Sequence, residues 1–321
     1  MTAAGASFGY LLPTRELVMA GSPPDIGRAI ELAETAEELG FGSVWAGDSI
    51  LARPRLEALT TLAAVSSRTR QVKLGTAVLL PALRNPVVLA NEVANLDLLS
   101  RGRVVLGVGI GSKTPLVQKE FDSCGVSFNW RVSIYEESLS IMRRLWSEPE
   151  VSFEGRHFKF KDVGLGLLPI QKPGVPLWMA GTVDAARLRM LRLGDGWFPN
   201  PPTPLAFTEG WNRIQELANE TGEDTGKLHR SVYTTLNINE DANQADREMR
   251  SFVEGYYGGP FETVSRTQSV CAGTAETCVS WLRSFVDAGA QTICIRFGGP
   301  DQSGQLQKCA HEVLPQVRVP R

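Results

Sequence analysis

Eight short, nearly continuous apolar runs, each followed by a stretch with helical periodicity, predict a (β/α)8 barrel for this chain. Two further observations support that class. Glycine, hydroxyl and acid residues gather where the runs end, and 321 residues suit one closed sheet with its ring of helices. A doubly wound open sheet would show fewer units and no final return strand.

The elements follow in order. Phe8 to Leu12 is a first strand stopped by Pro13, and Asp25 to Leu39 is an amphipathic helix closed by Gly40. Ser43-Val44-Trp45-Ala46 is the second strand, with Asp48 and Ser49 just beyond it. An acid and a hydroxyl there could serve a ligand or cap the next segment. Pro54 opens a helix continuing from Arg55 to Ser67. Val72 to Leu79 is the third strand, Asn85-Pro86 opens a helix reaching Ser100, and Arg103 to Gly109 is the fourth strand.

From Ser112 to Pro173 the rhythm breaks, with a helix from Arg131 to Trp146 and a hairpin from Val151 to Phe160 around Gly155. No linker composition marks a boundary, so residues 1–321 read as one domain with an insertion at about 112–173. The rhythm resumes with a strand at Val175 to Ala180 and a helix at Asp184 to Leu193. A short strand at Gly194 to Pro199 and a helix at Pro204 to Asn219 come next. His229 to Ile238 is the seventh strand, followed by helices at Asp241 to Tyr257 and Thr274 to Ala288. Gln291 to Arg296 is the eighth strand, and a helix from Gly304 to Leu314 closes the series.

Composition narrows the function classes. Thirty-three Lys and Arg against 35 Asp and Glu give a net charge of −2, with no single-sign field to gather nucleic acid or an anionic membrane. Five cysteines without a CxxC pair suit a reducing cytoplasm. Met1 to Ser7 has neither the basic start nor the apolar run of a signal peptide, and no apolar stretch reaches a membrane span. The three histidines lack metal-ligand spacing, so no metal site is expected. No pair of acids recurs at strand ends as glycosidases need, and no lysine ends a strand as a Schiff-base enzyme needs.

What remains at the strand ends is small, apolar and rich in glycine, a surface suited to a large flat cofactor. Gly181-Thr182 before the helix of Asp184 is a phosphate candidate, because amide groups at a helix start attract an anion. A plain strand-to-helix turn with Thr182 as cap is the alternative. Gly107-Val108-Gly109-Ile110-Gly111 lacks the third glycine and the following acid of a dinucleotide loop. Its glycines allow close approach of something planar, or form a structural bulge.

Taken together, Trp45-Ala46-Gly47-Asp48-Ser49, Leu74 to Pro81 with Arg84-Asn85-Pro86, Leu96 to Arg103, Pro176 to Gly181 and Leu193 to Trp197 resemble the bacterial luciferase-like flavin oxidoreductase family. That resemblance implies a barrel binding reduced FMN or the deazaflavin coenzyme F420. It implies a non-prolyl cis peptide within Thr76-Ala77-Val78, behind the cofactor ring, and carries the phosphate position to Gly181 and Thr182 beside Ala180. Gly109, Gly111 and Ser112 complete the expected cofactor contacts, with Asp48 at the ring edge and Ser49 towards the substrate.

Two departures from the family pattern shape the expected chemistry. Many relatives carry a histidine where this chain has Ser49, and neutral serine cannot serve as a proton donor near neutral pH as histidine does. FMN-dependent members place an arginine where this chain has Ile110, which favours the deazaflavin. The expected function is hydride transfer between coenzyme F420 and a small organic substrate. An FMN-dependent monooxygenase and a non-catalytic flavin-binding relative are the alternatives. A homodimer and a separate reductase supplying reduced cofactor are the expected partners.

Overall fold

The computed structural model describes residues 5–20 and 25–318, so the expectation for Met1 to Ser7 lies largely outside the described residues. Its strands are β1 (Ser7–Leu11), β2 (Ser43–Ala46), β3 (Lys73–Thr76), β4 (Val104–Val108), β5 (Val151–Glu154) and β6 (Lys159–Val163). The remainder are β7 (Leu177–Met179), β8 (Gly196–Trp197), β9 (His229–Ile238), β10 (Val270–Gly273) and β11 (Thr292–Phe297). All but β5 and β6 form one sheet in the order β10-β9-β11-β1-β2-β3-β4-β7-β8, and β8 pairs back onto β9. This is the closed eight-stranded parallel barrel that the sequence predicts. β10 is an addition to it, lying beside the second half of β9 with Val270 opposite Thr235.

Two compact units divide the chain. The first comprises Met1–Pro13, Glu31–Trp45 and Met179–Arg321. In it β1 runs parallel to β2, Gly9 opposite Ser43, and to β11, Ser7 opposite Thr292. Its core is aromatic: Trp197 stacks on Phe207 with centroids 5.1 Å apart, and Phe207 meets Phe285 edge-on. Flat rings there bury large apolar areas at little cost in side-chain freedom.

The second unit comprises Thr14–Ile30 and Ala46–Trp178. Here β3 pairs with β4, the helices Ala58–Arg68, Pro86–Ser100 and Arg131–Ser147 pack in series, Arg131–Ser147 meets β5 of the antiparallel hairpin β5–β6, and the helix Pro115–Ser123 packs on the turn Phe128–Trp130. The helix Pro86–Ser100 starts under the Asn85 side chain, which accepts from the Val87 and Val88 amides, with proline in its first turn. It ends with Arg101 and Gly102 at positive φ. Arg103 then spends its guanidinium on the carbonyls of Ser66, Thr69 and Val72 and the Thr69 hydroxyl. Asp97, fully buried, accepts from the Gln171 backbone and side-chain amides. The stretch Leu96 to Arg103 is therefore a structural staple between helix, sheet and insertion.

The structure departs from the sequence expectation at several element bounds, and three differences lie close to the candidate site. The helix expected from Arg55 begins at Ala58, because the Glu57 side chain accepts from the Thr60 amide and fixes the start there. The third strand ends at Thr76, and Leu79 makes only an isolated bridge to Val108. The helix Pro115–Ser123, capped by the Thr114 hydroxyl, was not anticipated within the insertion. No helix among the described residues is long and apolar enough to cross a membrane.

Candidate functional site

The second unit holds most of the residues the sequence singles out. The chain leaves β2 at Ala46, whose carbonyl accepts from the Ala77 amide 2.8 Å away. Thr76 gives its hydroxyl to the Gly107 carbonyl at 2.7 Å, so it ties β3 to β4 and offers no free hydroxyl proton. The Ala77–Val78 peptide is cis and non-prolyl, where the family resemblance places it. Both residues are part-exposed between buried neighbours, a small apolar surface against which a ring can lie.

Asp48 follows immediately. Its side chain is 2% exposed and its carboxylate meets Arg84 on both oxygens, at 2.8 and 2.9 Å, while the Leu80 amide donates to Oδ2 at 2.9 Å. Arg84 also reaches Glu57 at 3.1 Å. Burial works against the charge on Arg84, and Asp48 and then Glu57 reverse that, holding its pKa above the ordinary value. Asp48 thus pins the segment from Leu80 to Arg84 to the end of β2, a structural duty beyond the cofactor contact expected from the sequence.

Ser49 points into the protein. Its hydroxyl donates to Glu120 Oε1 at 2.8 Å and accepts from the Arg53 amide at 2.8 Å. Glu120 lies on the unanticipated helix Pro115–Ser123 and is 1% exposed. The same Oε1 accepts from the backbone amides of Ile50, Leu51 and Ala52, so one carboxylate oxygen organises the whole loop after β2. The sequence reading missed Glu120. Its only signal was an acid within an otherwise amphipathic turn, 71 residues from its partner.

The glycines after β4 have separate explanations. Gly109 donates to the Leu79 carbonyl at 2.9 Å. Gly111 has φ +76, and a Cβ there would stand 3.2 and 3.3 Å from Val117 and Phe121, so the turn into the next helix requires glycine. Ser112 is exposed, with its carbonyl accepting from Thr114.

The first unit holds the other candidate group. Ala180, Gly181 and Thr182 lead from β7 into the helix Asp184–Leu193. Gly181 has φ +131, and a Cβ on it would lie 2.6 Å from the Ala186 Cβ. Its carbonyl accepts from the Trp197 indole at 2.9 Å. Val183 is the N-cap residue and no side chain caps the helix start, so Thr182, which is exposed, does not serve as the cap. Asp184 in the first turn is held by Arg213 and Arg187, in that order of effect, and its pKa lies below the usual carboxylate range. Its charge is therefore neutralised locally rather than left to oppose an incoming anion.

A second cluster in this unit went unread. Arg296, 1% exposed at the end of β11, is boxed by the rings of Tyr233, Phe252, Tyr256 and Tyr257. It donates to the Thr235 hydroxyl and the Tyr257 hydroxyl at 3.0 and 3.1 Å. Burial drives the Tyr233 pKa well up, against the opposing pull of Arg296. Cation–π contacts of this kind hold a charge in place within an aromatic wall. The signal in the sequence was Phe252, Tyr256 and Tyr257 at helical spacing, together with Arg296 near the end of the expected eighth strand.

Known proteins resemble this chain over nearly its full length. An F420-dependent glucose-6-phosphate dehydrogenase from Kineococcus radiotolerans is 28% identical over 322 residues, covering 91% of this chain and 93% of that protein. Among solved structures, an F420-dependent secondary alcohol dehydrogenase in complex with an F420-acetone adduct superposes with a TM-score of 0.82 at 23% identity, covering 98% and 100% of the two chains. A monooxygenase from Streptomyces bottropensis gives 0.80 at 22% identity, covering 96% and 99%. At those identities the two structures speak for the fold alone. The family profile described as luciferase-like monooxygenase matches residues 6–292, and the chain belongs to that family.

Proposed function

We propose that this chain is an oxidoreductase that transfers a hydride between coenzyme F420 and a small organic substrate. The observation that carries the reading is the end-to-end similarity to an F420-dependent dehydrogenase, 91% of one chain against 93% of the other. The residues present fit such a cofactor. A ten-residue helix with no side-chain cap, preceded by exposed Thr182, offers amides and a hydroxyl to a phosphate. The part-exposed Ala77 and Val78 offer an apolar face for a ring.

In this reading Thr76, Ala77 and Val78 back the ring, Gly109, Gly111 and Ser112 line it, and Ala180, Gly181 and Thr182 hold the phosphate. When bound, the deazaflavin supplies the hydride chemistry, and the protein supplies placement and electrostatics. Asp48, locked by Arg84, keeps the segment after Val78 in place for the ring. The loop that Ser49 opens is the proposed substrate side, with the Ser49 hydroxyl itself turned inward to Glu120. The family resemblance further supports a cytoplasmic homodimer and a separate enzyme regenerating the reduced cofactor.

The test is an anaerobic titration of the purified protein with F420 and, separately, with FMN. The reading expects F420 to bind more tightly. Tighter binding of FMN would replace it with the FMN-dependent monooxygenase.

A further inference from the structure

The segment from Lys113 to Arg131 encloses an open cleft of about 310 Å³, at the small end of the range for ligand pockets. None of its lining residues is among the groups assigned above to the cofactor. Six of the seven are polar, and three of those carry charge. Lys113 comes from the loop after β4, Asp122 from the helix Pro115–Ser123 and Arg131 from the start of the helix Arg131–Ser147.

These charges are not used on one another. Among the described residues the side chains of Lys113 and Asp122 make neither a hydrogen bond nor an ion pair, although both face the same cleft. Arg131 donates from Nη1 to the Phe128 carbonyl at 2.9 Å and lays its guanidinium over the Phe128 ring, 3.8 Å from the centroid. Those two contacts fix the guanidinium, while Nη2 has no hydrogen-bond partner among the described residues. Burial pulls the Arg131 pKa below its ordinary value, a cost that a bound anion would relieve.

We propose that this cleft binds a small zwitterion, an α-amino acid with a polar side chain, its carboxylate on Arg131 and Lys113 and its ammonium on Asp122. A dianion would bring its second charge beside Asp122, and a cation would face Lys113 and Arg131. Only a ligand with opposed charges at its two ends suits all three groups. An arginine fork already fixed in place matches a carboxylate. The carboxamides of Gln118 and Asn129 both donate and accept, so they suit a polar side chain, and Phe128 is the one apolar residue of the lining. This inference goes beyond the proposed hydride transfer and does not depend on it.

The test is calorimetric titration of the full chain, without F420, using L-glutamine, L-asparagine and L-serine as probes. At least one should bind with a Kd at or below about 1 mM. For glutamine, 4-carbamoylbutanoate removes the ammonium and 4-aminobutanamide removes the carboxylate. Each should bind about tenfold more weakly, the scale of one lost charge-assisted hydrogen bond. Hydrogen–deuterium exchange with the bound amino acid should gain protection within residues 113–131.

Asp122→Asn and Lys113→Gln alter exposed side chains and should leave unfolding unchanged. Asp122→Asn should weaken the amino acid about tenfold and leave 4-carbamoylbutanoate unaffected, whereas Lys113→Gln should weaken both. Absence of binding by all three amino acids up to about 10 mM would overturn the proposal. Equal or tighter binding of succinate or inorganic phosphate would replace it with a simple anion site. Full affinity in Asp122→Asn, or protection confined to other segments, would equally contradict it.

Discussion

Arg84 grips both carboxylate oxygens of Asp48, at 2.8 and 2.9 Å, with the acid side chain 2% exposed and the guanidinium 14% exposed. The pair fastens the segment following β3 to the end of β2. It also settles why an acid stands at position 48: the carboxylate has an internal partner whether or not a ligand is present.

Removing that partner strands a buried charge. Arg84→Met should lower stability by about 3 kcal/mol, the usual consequence of breaking a buried pair from one side. Urea unfolding measures it. A change within experimental error of zero would mean that the pair is solvated and replaceable.

Glu57 gives the acid side of the stability curve a specific slope. Burial raises its pKa, but hydrogen bonds from the Thr60 amide and hydroxyl, then the Leu59 amide and Arg84, bring it below the ordinary 4.5. A carboxylate with a depressed folded-state pKa adds stability that is present above the unfolded value and is lost as pH falls through the folded one. Glu57→Gln should therefore flatten the decline in thermal stability below pH about 4.5 and leave its shape near neutrality alone. Parallel curves for the two proteins across that range would refute the assignment.

At the phosphate candidate, substitution of Gly181 tests packing rather than binding. A Cβ at φ +131, 2.6 Å from Ala186, is overpacked, so Gly181→Ala should cost about 1–3 kcal/mol of stability. Thr182→Val is the informative change, because Thr182 is exposed and caps nothing. It should leave unfolding unchanged and weaken F420 binding about tenfold, the value of one hydrogen bond to a charged group. Unaltered affinity would remove Thr182 from the site.

Glu137 governs the tip of the hairpin. Its carboxylate accepts from the amides of Arg156, His157 and Phe158, and the His157 ring lies 2.7 Å from the Ser133 hydroxyl. Glu137→Ala should accelerate amide exchange at residues 156–158 while the core strand β4 keeps its protection. Equal protection in both proteins would show that strand pairing alone holds the tip.

The barrel was legible because its signals are local. The helix Asp184–Leu193 and the strand His229–Ile238 have the bounds that their periodicity and flanking residues indicate. The Ala77–Val78 peptide was readable only through the family resemblance, since no local pattern encodes it. What escaped was long-range or short. β10 has only four residues, and Thr114-Pro115, a legible cap and first-turn pair, went unused. The tie from Ser49 to Glu120 spans 71 positions, beyond any periodic pattern. The site residues could be listed from the sequence, but their partners could not, because a hydroxyl or carboxylate takes its role from whatever the fold brings within hydrogen-bond reach.

The most direct test of the account mixes the purified protein with oxidised F420 and a panel of small alcohols, without oxygen, and follows the deazaflavin absorbance. The account predicts that at least one alcohol bleaches the cofactor stoichiometrically as its carbonyl product forms. Failure of every alcohol to do so, together with oxygen consumption driven by reduced FMN, would contradict it.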